Sequence, residues 1–83
     1  MNNLKNIQVL GSGCPACQKL YKLTQQVVKD LGLSVTVEYI KDLQRILDFG
    51  LMQSPVLVVN GQAVLVGFTS DIKKIKKLIQ DNF

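Results

Sequence analysis

The sequence holds no histidine and no tryptophan, only two prolines and two cysteines, and its aromatic residues amount to 6%. Without an imidazole the chain cannot build a Ser-His-Asp or Cys-His nucleophile pair, a His-ligated metal or a histidine proton shuttle, which removes much of ordinary hydrolase chemistry. Two cysteines in 83 residues fall far below the roughly 8–10% of a disulfide-stapled secreted scaffold. These thiols are therefore not what holds the fold together. A bridge between Cys14 and Cys17 would close a very short loop, worth about 2 kcal/mol at most. Long apolar runs are missing too: the first, Ile7 to Leu10, is too short for a signal-peptide core, and nothing approaches the ~20 residues of a membrane span. With the polar Met1–Lys5 ahead of it, the chain is expected in the cytoplasm, away from membranes. There a C-x-x-C is more often redox-active or metal-binding than structural. The net charge of +4 is mild and predicts no nucleic-acid partner.

What is present is a small core. An apolar content of 47% against 19% charged residues is that of a globular chain, and the length suits a single domain over 1–83. Lys5 to Leu10 reads as a strand ended by Gly11-Ser12-Gly13. Pro15 opens a helix, where its missing N–H costs nothing; Cys17, Leu20, Leu23 or Thr24, Val27, Val28 and Leu31 recur at helical spacing, and Gly32 stops it. Leu33, Val35, Val37 and Tyr39 alternate with Ser34, Thr36 and Glu38 as a second strand. A short helix capped by Asp42 carries Leu43, Ile46, Leu47 and Phe49, with Gly50 closing it. Val56–Val59 is too β-branched for a helix. Asn60-Gly61 then turns the chain into a fourth strand, Ala63–Val66. The last helix is expected to be capped by Ser70, with Asp71 in its first turn and Lys73, Lys74, Lys76 and Lys77 on a solvated face. The order βαβαββα implies an α/β fold: a four-stranded mixed sheet with helices on both faces, and a right-handed crossover between the first two strands.

Cys14 stands immediately before a helix, after a glycine-hinged loop. Unpaired backbone N–H groups and the positive end of the helix dipole favour a thiolate there, so Cys14 is the candidate nucleophile. Cys17, one turn later on the same face, is placed to attack a mixed disulfide formed at Cys14, and Pro15 and Ala16 put no bulk or charge in the way. Two thiolates could instead hold Cu(I) or half of a Zn or Fe-S site. A complete tetrahedral site within the chain is not expected, since two more Cys or His are missing. Pro55, after Ser54 and before a strong apolar strand, begins that strand where a proline is tolerated. Tyr21 and Tyr39 read as rim residues, and Phe49 and Met52 as packing, with Met52 as an alternative groove residue.

The element order, Cys14-Pro15-Ala16-Cys17 after the first strand, Ser54-Pro55 before the third and Asn60-Gly61 in the hairpin together resemble the thioredoxin-fold superfamily in its glutaredoxin-sized form, the small redox-active disulfide proteins. The resemblance implies a thiol-disulfide oxidoreductase acting on protein disulfides and recharged by a reductase or small thiol. It needs no cofactor beyond a redox-active Cys14–Cys17 disulfide, no metal and no partner copy. It gives Cys14 the nucleophile's role, Cys17 the resolving role, Gly13, Pro15 and Ala16 to the active-site loop, and Ser54-Pro55, with a cis bond, to substrate docking. The sequence departs from that pattern at several points. Gly13 stands where thioredoxin has a Trp, and Gln8 where it has a buried Asp, so no carboxylate base is assigned. Val66 replaces the first of the paired glycines with which glutaredoxins hold glutathione, which leaves glutathione open as a partner. The alternative is a Cu(I)-binding module. Copper chaperones usually carry a Met where Ser12 stands and end on a strand, not a helix, which speaks against it.

Overall fold

The computed structural model describes residues 6–83. The expected start of the first strand at Lys5, and the polar segment Met1–Lys5, lie outside the described residues. Its elements are β1 (Ile7–Leu10), α1 (Pro15–Asp30), β2 (Val37–Ile40), α2 (Leu43–Asp48), β3 (Val56–Val59), β4 (Gln62–Val66) and α3 (Ile72–Asn82). This is the expected βαβαββα order. The sheet runs β2-β1-β3-β4; β1 pairs parallel with β2 and antiparallel with β3, and β3 pairs antiparallel with β4.

Each sheet face carries its own apolar cluster, because side chains alternate across a strand. Ile7, Val9, Leu57 and Val59 face α1 and α3, meeting Leu20, Val27, Ile75 and Ile79. Leu10, Val56 and Val58 face α2 and meet Ile46. Every residue of β3 is buried, as its central position and continuous β-branched run require. Asn60 and Gly61, both at positive φ (53° and 83°), make the tight turn into β4. Leu57 pairs with Leu65 but Val58 with Ala63, so Val64 is the extra residue of a bulge.

The structure corrects the sequence reading at four places. β2 begins at Val37, not Leu33. In the register Ile7↔Val37 the alternating residues before it would lie opposite positions 3–6, of which only Asn6 is described, and its N–H is donated to Asn60 Oδ1 (3.0 Å). Leu33 and Val35 still pack on the core, so their alternation records burial without pairing. The cap of α3 is Asp71, not Ser70: its carboxylate accepts from Lys73 N (3.0 Å) and Lys74 N (3.3 Å), and its own N–H donates to Thr69 Oγ1. In α2 only Ile46 is buried; Leu43 and Leu47 are more than half exposed. Met52, expected to pack, is 90% exposed. Among the described residues no helix is long and apolar enough to cross a membrane.

Candidate active site

The loop from β1 into α1 places both sulfurs at one end of the sheet. Gly11 continues from β1, donating its N–H to Ile40 O (3.0 Å), and Gly13 takes φ +87°, a conformation that only glycine adopts without strain. Cys14 is the N-cap of α1 in extended conformation, and Pro15 takes the first helical position. The Cys17 N–H donates to Cys14 Sγ (3.2 Å), filling the place that a Ser or Asp oxygen takes in an ordinary cap. Gln18 closes the turn, its N–H donating to Cys14 O and its side chain to Gly13 O.

Both cysteines are free thiols with different access: Cys14 is half-buried and Cys17 wholly buried. Burial pushes the Cys17 thiol up, but hydrogen bonds from the Cys14 side chain, the Ser12 backbone, the Ser54 hydroxyl and the Cys14 backbone outweigh it and bring the thiol down to about 7. The sequence directed this stabilisation at Cys14; in the structure the depressed thiol is that of Cys17.

The Ser54–Pro55 bond is cis. Pro55 is buried, and its carbonyl accepts from Gly67 N (2.8 Å), fixing the start of β3 against the end of β4. Ser54 is thereby brought to Cys17, so the structure gathers Cys14, Cys17, Ser54 and Pro55, with Gly13, Pro15 and Ala16 in the same loop. Beside them a groove of about 400 Å³ runs between Ser12 and Ser54 over Leu43, Leu47, Leu51 and Met52. On the far side of Pro55, Val66 and Phe68 are also exposed, and Lys19 Nζ lies 5.9 Å from the Phe68 ring. A larger hollow of about 620 Å³ lies by the Asn60-Gly61 hairpin among Phe49, Ala63 and Leu78, away from the sulfurs.

Three parts of this site escaped the sequence reading. Gly11 looked like a strand terminator, yet a Cβ there would lie 2.7 Å from both Cβ and Sγ of Cys17; glycine lets β1 pass against the buried thiol. Tyr39 is no rim residue: its ring stacks on Tyr21 (5.2 Å, 19°) and its hydroxyl is buried. The exposed Leu43 and Leu47 form a wall of the groove together with Met52, for which the sequence had offered a groove position as its alternative. Gln8 lies on the α2 face of the sheet, hydrogen-bonded to Glu38 (3.1 Å), and so is turned away from the cysteines. Among the described residues no group of three or more His, Cys, Asp or Glu side chains converges.

The model of a family described as "Thioredoxin domain" matches residues 5–80. A protein of Methanothermobacter thermautotrophicus named thioredoxin is 37% identical over 76 residues, spanning 92% of this chain and 99% of that protein. Two proteins of Methanocaldococcus jannaschii, both named thioredoxin, are 30% identical over 57 residues (65% of this chain, 67% of that protein) and 24% identical over 71 residues (86% and 81%).

Proposed function

The chain belongs to the thioredoxin domain family and is a thiol-disulfide oxidoreductase; from that premise we propose that it exchanges electrons with protein disulfides through Cys14 and Cys17. The observation that carries this reading is the division of access between the sulfurs, one half-exposed under a backbone donor and the other wholly buried behind it. A bulky disulfide reaches Cys14 only. The Cys14 thiolate attacks one substrate sulfur, forming a mixed disulfide and releasing the other sulfur as a thiolate. Cys17, as thiolate, then attacks Cys14 Sγ: the Cys14–Cys17 bond forms, the bond to substrate breaks, and the departing substrate sulfur ends with the proton that Cys17 gave up. Substrate leaves as dithiol and the chain as disulfide, its sole redox group. A reductase or small thiol reverses the change.

Ser54 and Pro55 are the docking ledge in this reading. No backbone hydrogen bond of Ser54 is found among the described residues, which leaves its peptide groups for an extended substrate segment. The apolar side chains exposed on both sides of Pro55 suit protein in place of a small polar thiol. Val66 in place of a glycine gives glutathione no such support. We place the protein as a monomer in a reducing compartment such as the cytoplasm, because a bridge over so short a loop adds little stability and functions by being broken and remade.

Trapping tests the assignment. Cys17→Ser should accumulate mixed disulfides with a protein substrate such as insulin, linked through Cys14, and Cys14→Ser should not. Adducts formed only by Cys14→Ser would reverse the two roles.

A further inference from the structure

Tyr39 carries a buried polar atom that the exchange steps above do not use. Its hydroxyl is shielded from solvent and makes no hydrogen bond of ordinary geometry among the described residues. The groups close enough to bear on it are the Gly13 backbone, whose N–H faces its oxygen, and the Cys17 side chain, and a buried hydroxyl proton without a good acceptor is a cost that a fold normally avoids. Its surroundings give it a use. Tyr39 lies opposite Val9 on the sheet face that α1 covers, and stacking on Tyr21, four residues beyond Cys17 in α1, fixes its ring. A methyl on Gly11 would lie 2.7 Å from Cys17 Sγ and 3.3 Å from Tyr39 Cε1. The sulfur and the hydroxyl-bearing end of the ring thus flank one point. No carboxylate competes for this position, since Gln8, the polar side chain of β1, faces the other way.

We propose that the Tyr39 hydroxyl is a positioning residue for the resolving step, donating a hydrogen bond to Cys17 Sγ when that sulfur is a thiolate. This rests on the reading of Cys17 as the resolving sulfur. With Cys17 as a neutral thiol, the hydroxyl proton faces only a weak acceptor; with the thiolate it gains a charge-assisted bond. Tyr39 keeps its own proton throughout. Burial first, then the negative charge of Cys17, hold its phenol above the ordinary tyrosine range; the Gly13 backbone acts the other way by hydrogen bonding to the oxygen, and the Cys14 charge and a hydrogen bond to the Cys17 side chain add smaller upward pushes. The end of the Lys41 side chain lies over Gly13 in the same loop. The proton lost by Cys17 ends on the departing substrate sulfur, and Tyr39 lowers the cost of the thiolate that forms between.

The test separates the two sulfurs in time. Mixing the reduced protein with a chromogenic aryl disulfide (dithiobis-nitrobenzoate) should release one aryl thiolate as Cys14 is attacked onto the reagent and a second as Cys17 resolves the adduct. Tyr39→Phe keeps the ring and its stacking. It should leave the first phase within about twofold, slow the second by about tenfold at neutral pH, and move that phase's pH midpoint upward. The reduction potential should fall by about 30 mV, the equivalent of a tenfold shift toward disulfide. At pH 5, where Cys17 is a neutral thiol and the hydroxyl proton has only a weak acceptor, the thermal stability of reduced Tyr39→Phe should equal or exceed that of the wild type, which a merely structural role would not allow. Tyr21→Phe, retaining the stack, should match the wild type in both phases. An unchanged second phase in Tyr39→Phe, or equal slowing of both phases, overturns the proposal. A wild-type protein with no second phase overturns the resolving role of Cys17 and this inference with it.

Discussion

Gly11→Ala adds one methyl where the site has no room for it. Gly11 is buried and is not among the glycines at positive φ, so alanine fits its backbone and the whole effect is steric. The new Cβ would stand 2.7 Å from both Cys17 Cβ and Cys17 Sγ and 3.3 Å from Tyr39 Cε1, against an optimum of about 3.5–4.0 Å for carbon pairs. Two contacts must open by close to an ångström. Neither partner is the loose end of a flexible chain: Cys17 is built into the first turn of α1, and the Gly11 peptide is tied to Ile40 O. Overpacking of this kind costs about 1–3 kcal/mol. In a domain this size each kcal/mol lowers Tm by about 4–8 °C, so thermal unfolding of the reduced protein should show a loss of at least 4 °C. Cys17→Ala removes one of the two clashes and leaves the other at Cβ, so in that background the penalty should shrink without vanishing. Gly13→Ala offers a contrast, because the atoms it would meet at 3.3–3.6 Å are the end of the Lys41 side chain, leaving backbone strain at φ +87° as its cost. If Gly11→Ala unfolds within 2 °C of the wild type and its two exchange phases are unchanged, the packing of β1 against the buried thiol is not as described.

The site also predicts a pH signature: thiolate absorbance of the reduced protein should rise through a step near pH 7, and Ser54→Ala, losing a hydrogen bond to Cys17, should move that step upward. A Cys17 thiol depressed from about 9 to about 7 stabilises the reduced fold above the unfolded value. Denaturant midpoints of the reduced protein should therefore fall as pH is lowered from 9 to 7, and a flat or opposite trend would contradict the assignment. Asp71→Ala should cost about 1 kcal/mol through lost capping of α3, and Ser70→Ala within about 0.5 kcal/mol of nothing; the reverse order in urea titrations would restore Ser70 as the cap. Asn60 accepts from Asn6 N and donates to Asn82 O (2.9 Å) and Phe83 O (3.3 Å), tying the hairpin to the end of α3. Asn60→Gly, which keeps the positive φ, should still lose roughly 1–3 kcal/mol; an unchanged urea midpoint would show those bonds to be energetically idle.

The elements were legible where a single physical signal decided them. Pro15 and Gly32 bracket α1, the β-branched run marks β3, and Asn60-Gly61 sets the hairpin. The cysteine pair and Ser54-Pro55 were legible because the site uses residue types with few other reasons to stand there. Errors arose where two signals looked alike in one dimension. Leu33–Thr36 alternates as a strand does, but strand pairing depends on a partner's register, which alternation does not carry. Ser70 and Asp71 are both good caps, and the choice between them fell to where the backbone turns. Leu43, Leu47 and Met52 have the composition of a core and the exposure of a surface, a difference settled by whether another layer covers α2. Gly11 and Tyr39 act through closeness to Cys17 across a strand pair, a distance that no spacing along the chain records.

The central claim is that Cys14 and Cys17 form one reversible two-electron couple. Its most direct test equilibrates the wild-type protein in buffers spanning a range of thiol-disulfide poise, quenches with an alkylating agent and counts modified cysteines by mass. The account predicts a single transition in which both cysteines pass together from alkylated to bridged, reached equally from the oxidised and reduced sides. Thiols that remain alkylated at every poise, or that oxidise only as Cys14-linked dimers, would contradict it.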